Sequence, residues 1–135
     1  MRGVAVTAHA PTDVTASSED LEQIRRVALD YVEGYLDGDA NRHARAYHPE
    51  CLKRRMVVDE ESAVTELVVL SPQTMVDYAA KRTRLTDPCD IEVLIDAVSQ
   101  DIASVRVYSC EWVDFLHVVK ARGEWRLFHV TWHGR

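Results

Sequence analysis

Cysteine is scarce in this 135-residue chain, which has only Cys51, Cys89 and Cys110. An odd number without CxxC spacing argues against a disulfide framework and predicts reduced thiols. No cysteine pair lies near a histidine pair at ligand spacing, so no metal is expected. Apolar runs are short, and none approaches the roughly 20 residues of a membrane span. The run Val4-Ala5-Val6 after Arg2 is too brief for a signal-peptide core. There is no glycine-rich phosphate loop and no internal repeat. At a formal net charge of -6 there is also no basic stripe to neutralise phosphates. The expectations are a soluble, cytoplasmic protein with no nucleic-acid partner, no membrane association and no cofactor.

What is present is enough for one core. The sequence is 47% hydrophobic, and its length suits a single domain. Residues 1–18 are rich in Ala, Thr, Ser and Pro without apolar periodicity, which predicts a disordered tail before a domain over 19–135. Ser18 is a plausible N-cap, with Glu19 and Asp20 in the first turn. Leu21, Ile24, Val27, Ala28, Tyr31 and Tyr35 then recur at helical spacing. Gly38 ends that helix, and Asp39 caps a short second one through Ala46. Pro49 closes the segment and leaves His48 in a loop. Cys51 to Val58 and Ala63 to Leu70 read as extended. Ser71-Pro72 opens a third helix to about Arg84, with Ser as cap and Pro at the first helical position. After Pro88 four strands follow as a meander: 91–98, 102–111, 113–121 and 124–132. Helices first and strands last define an α+β class with a curved antiparallel sheet.

The final hairpin carries the side chains best suited to moving protons near neutrality. A two-residue turn at Arg122-Gly123 sets Ala121 opposite Glu124. With regular pairing, one face then holds Asp114, Leu116, Val118 and Lys120 against Trp125, Leu127, His129 and Thr131. Asp114 would sit diagonally from His129, at roughly 7–8 Å between backbones. A carboxylate that fixes an imidazole tautomer is what a general base needs, although ligand binding or a structural role fits the same pair. A one-residue slip would put the two on opposite faces. The other face holds Val113, Phe115, His117 and Val119 against Arg126, Phe128, Val130 and Trp132. It is either a dimer interface or the pocket. Tyr31, Tyr35, Tyr78, Trp112 and Trp132 are candidate aromatic walls, or plain core. The basic cluster Lys53-Arg54-Arg55 reads as a strand edge or pocket rim, with anion binding as the sharper alternative.

Several segments together resemble the putative lumazine-binding branch of the nuclear transport factor 2-like superfamily. They are Tyr31-x-x-Gly34-Tyr35 with Gly38-Asp39, Tyr47-His48-Pro49, and Ser71 opening the third helix. The ending from Asp114 to Lys120, with Gly123-x-Trp125 and a closing Trp132, is similar as well. The match spans about Leu21 to Trp132. It implies a cone-shaped α+β barrel, with a bent sheet wrapped round helices and a deep pocket at the open end. It also implies a homodimer formed through the sheet. The superfamily includes ketosteroid isomerase, scytalone dehydratase, limonene epoxide hydrolase and polyketide cyclases, none of whose catalytic sets maps onto this chain. The chain departs from the pattern at Lys53-Arg54-Arg55 and at His129, where similar sequences tend to carry Asn.

The reading is a small-molecule pocket protein, an acid/base lyase, isomerase or cyclase without a cofactor. The alternative is a non-catalytic ligand-binding or accessory module. His129 is the expected base, Asp114 its orienting partner, and His48 or Tyr35 an oxyanion donor. Tyr31, Tyr35, His117, Trp112 and Trp132 are the expected ligand contacts.

Overall fold

The structure, a computed structural model, describes residues 16–135, so the expected tail lies almost wholly outside the described residues. Helix α1 (Ser18–Leu36) is capped by Ser17, one residue earlier than expected, because the Ser17 side chain accepts from the Asp20 N–H at 3.1 Å. Ile24, Val27, Ala28, Tyr31 and Val32 form its buried stripe. Asp37 and Gly38 end the helix. Gly38 has φ +69°, and a Cβ there would come within 2.4 Å of the Arg82 carbonyl oxygen. Only glycine meets both conditions. Helix α2 (Ala40–Arg45) starts at Asp39, whose carboxylate caps the Arg42 N–H.

Strand β1 (Tyr47–Val58) begins earlier than the sequence suggests, which puts His48 and Pro49 in a strand and not a loop. Then come β2 (Thr65–Leu70), helix α3 (Pro72–Lys81), β3 (Glu92–Ser99), β4 (Ile102–Tyr108), β5 (Trp112–Ala121) and β6 (Glu124–Gly134). Ser71 caps α3 as expected, with Pro72 inside its first turn, but the helix stops three residues before Arg84. The class is α+β. A curved, unclosed sheet of order β2-β1-β6-β5-β4-β3 wraps the helices. One pairing departs from the antiparallel expectation, since β1 and β6 run parallel.

The β5–β6 turn is the predicted two-residue one, with positive φ at both Arg122 and Gly123. Ala121 faces Glu124, and pairing stays regular back to Val118 opposite Leu127. There the register slips, because His117 pairs with His129 and Phe128 has no partner. This bulge corrects the expected pairing. Beyond it every β6 side chain changes face. Val130 turns into the core, where it is buried with Leu116, Val118, Trp125 and Leu127, while His129 turns out.

Cys89 and Cys110 are joined, with Cα atoms 5.4 Å apart, tying the segment before β3 to the β4–β5 turn. This corrects the expectation of three reduced thiols, and only Cys51 is free. Among the described residues, no helix is long and apolar enough to cross a membrane.

Candidate functional site

A cavity of about 290 Å³ opens between α1, α3 and the β2-β1-β6-β5 part of the sheet. Its apolar wall is Val32, Leu36, Val68, Leu70 and Met75, and its aromatic wall is Tyr31, Tyr35, Tyr78, Trp112 and Trp132. Three charged residues line it: Lys53, Arg55 and Asp114. Strand parity explains their meeting. Lys53 and Arg55 are two apart on β1 and face their partners Leu70 and Val68 on β2. Asp114 pairs across β5–β6 with Trp132, whose ring reaches both β1 cations.

The centre of the site is a buried hydrogen-bonded chain. Lys53 Nζ donates to the Tyr31 hydroxyl at 2.5 Å, and that hydroxyl donates to Asp114 Oδ1 at 2.7 Å. All three residues are at most 4% exposed. Lys53 also lies 4.5 Å from the Trp132 ring centre and 4.8 Å from that of Tyr31, which gives its charge two aromatic faces. Burial dominates each titration. It raises Asp114, against the opposing pull of Lys53 and the Tyr31 hydrogen bond. It pushes Tyr31 well above its ordinary value, helped by the Asp114 charge. It lowers Lys53 to about 8, with Asp114 opposing. Acid and base are thereby brought closer to neutrality than either would be in water.

A second layer holds Tyr31 in place. His43 is fully buried, and its Nδ1 donates to the Tyr31 carbonyl at 2.7 Å. A carbonyl can only accept, so Nε2 is the acceptor for the Tyr47 hydroxyl at 2.9 Å. Burial, followed by Lys53, holds this imidazole neutral, with its value lowered to about 4. The close fit needs Gly34, where a Cβ would stand 2.7 Å from the His43 backbone nitrogen. Arg82 caps the far side, 4.6 Å above the Tyr35 ring and 2.7 Å from Glu111.

Of the predicted residues, Asp114, Tyr31, Tyr35, Trp112 and Trp132 are brought together round the cavity. His129, His117 and His48 are not. The expected Asp114–His129 contact does not form, because the Phe128 bulge puts the two on opposite faces. His129 instead faces His117 on the exposed side, Nδ1 to Nδ1 at 3.4 Å, where burial, His117 and Arg54 lower its pKa. His48 packs edge-on against Phe128. Lys53 and Arg55, read from the sequence as a strand edge or pocket rim, were not counted among the expected site residues, yet both line the cavity. The available signal was their shared parity with Cys51, which the structure buries. Among the described residues, no group of three or more His, Cys, Asp or Glu could hold a metal.

The bent sheet over three helices defines the class of protein, the nuclear transport factor 2-like fold. Two solved proteins of unknown function share it. One, from Shewanella baltica, has 20% identity and a TM-score of 0.73 over 90% of this chain and 98% of its own. The other, from Silicibacter pomeroyi, has 19% identity and a TM-score of 0.72 over 90% and 100%. A protein described as a putative scytalone dehydratase, from Novosphingobium aromaticivorans, is similar at 16% identity and a TM-score of 0.58 over 87% and 85%. No curated protein matches. The family model described as "Putative lumazine-binding" matches residues 19–133, and the chain belongs to that family.

Proposed function

We propose that the protein is an acid/base enzyme of the lyase, isomerase or cyclase kind, acting on a small organic molecule in this cavity. The observation that carries the reading is the Lys53–Tyr31–Asp114 chain in the wall of an otherwise apolar pocket. Asp114 takes the role first expected of His129. As a carboxylate with raised affinity for protons, it accepts one from a carbon next to a carbonyl. The Lys53 ammonium, which has N–H donors beyond the one it gives Tyr31, supplies the donor for the oxygen on which negative charge grows, while the Tyr31 hydroxyl stays on Asp114. The test is deuterium uptake at carbon, followed by proton NMR across a panel of small ketones and keto acids in heavy water. Catalysed exchange that Asp114→Asn abolishes supports the reading. Ligands that bind without any exchange would favour the non-catalytic binding module.

A homodimer formed through the outer sheet face belongs to the same proposal. Phe115 and Ile102 are more than half exposed there, and Met56 stands out beside them. The bulge removes Val130 from the expected set, and Val113 is buried too. The remaining apolar patch still calls for a partner. Sedimentation at micromolar concentration showing only a monomer would rule this out.

A further inference from the structure

The cavity presents more donors than its own chain can use. Lys53 and Arg55 both line it, yet among the described residues neither has a carboxylate within ion-pair reach. Lys53 reaches Asp114 only through the Tyr31 hydroxyl. Arg55 Nε is buried and has no hydrogen-bond partner among the described residues, and the same holds for the Trp112 indole N–H. Both atoms are donors on cavity-lining residues. Buried donors left unmade are costly, and their concentration at one cavity calls for an acceptor from outside the chain. In a protein of formal net charge -6, two cations against one carboxylate in a single pocket also stand against the overall charge.

We propose that the pocket's ligand is a flat aromatic or conjugated carboxylic acid whose carboxylate is held by the Arg55 guanidinium. This rests on the pocket being the functional site and names the chemical class of what enters it. The guanidinium fork suits a planar carboxylate, which it can bind through two parallel hydrogen bonds. Arg55 stands 5.2 Å from the Trp132 ring centre, so that ring both steadies the guanidinium and offers a surface to an aromatic body. The cavity size is near the lower end for small-molecule sites, which suits one or two rings. Arg55 is half-buried where Lys53 is fully buried, so the acid group lies toward solvent and the body points at the Lys53–Tyr31–Asp114 chain.

The test is calorimetric titration of the full chain with trans-cinnamate and 2-naphthoate, each beside its neutral primary amide. At least one acid should bind about tenfold or more tighter than its amide, as a charge-assisted pair is worth. Arg55→Gln should bring the acid to the amide's level without changing the amide, and Arg55→Lys should restore part of the difference. Equal binding of acid and amide would overturn the inference while leaving the pocket reading intact. Unchanged discrimination in Arg55→Gln would overturn the assignment of that residue. No binding by any of the four at millimolar concentration would overturn the inference, whereas the acid/base reading falls only on the separate exchange experiment.

Discussion

The β5–β6 hairpin carries titratable side chains on both faces, and the two sets behave in opposite ways. Outside, His117 and His129 face each other in reach of water, and the His129 pKa is lowered by burial and by its neighbours His117 and Arg54. Inside, Asp114 begins far from neutrality and is moved toward it by burial among Tyr31, Lys53 and Trp132. On the proposed reading, a side chain's ordinary pKa is a poor guide to where the chemistry sits. Enclosure by aromatic and aliphatic walls raises the affinity of the carboxylate for protons, whereas that of His129 outside is lowered.

The sharpest way to break this contrast is to remove the inner carboxylate. Asp114→Ala leaves the Lys53 charge and the Tyr31 hydroxyl buried without their acceptor, and should cost about 3 kcal/mol or more. Urea denaturation measures it, and a loss below about 1 kcal/mol would mean that the inner cluster is no more demanding than the surface.

His43 tests the inner side with an imidazole in place of a carboxylate. Its folded-state value is about 4 against about 6.5 in an unfolded chain. Below pH 6.5 the unfolded chain takes up a proton that the folded one refuses, so stability is lost as pH falls toward 4. The full loss is worth about 3 kcal/mol. Asp114, raised by burial, works in the opposite direction over part of that range, so the measurement is a difference between proteins. Stability of His43→Gln should fall less steeply between pH 6.5 and 4 than that of the parent. Equal slopes would show that His43 is not held neutral.

The smallest effect belongs outside. His129→Asn should change stability by no more than about 0.5 kcal/mol and leave probe binding in the cavity unaltered. A larger change in either would bring the outer pair back into the site.

Much of the fold was legible because its signals are local. Ser71-Pro72, Gly38-Asp39 and Arg122-Gly123 mark their caps and turns by chemistry that acts over a few residues. The bulge at Phe128 was not read, although Trp125, Leu127, Val130 and Trp132 step by two, three and two, and a step of three is the trace of an inserted residue. On β1 the usual polarity is inverted. Leu52, Met56 and Val58 face out while Lys53 and Arg55 face the cavity, so the basic cluster could be read only as a strand edge or pocket rim. The Cys89–Cys110 bond joins two connecting segments 21 residues apart, and no spacing rule announces such a pairing.

The parallel pair of β1 with β6 also has a consequence for how the protein comes into being. Tyr31 and Asp114 are 83 residues apart, and Trp132, whose ring meets both Lys53 and Arg55, belongs to β6, the last strand. On a translating ribosome the helices and β1 emerge first, with the Lys53 ammonium still free in water. Its burial must wait until the closing strand is released, so nearly every incomplete chain also lacks the finished cavity. Such long-range closure is slow compared with helix formation. A nascent chain stalled before Glu124 would therefore hold formed helices and no pocket.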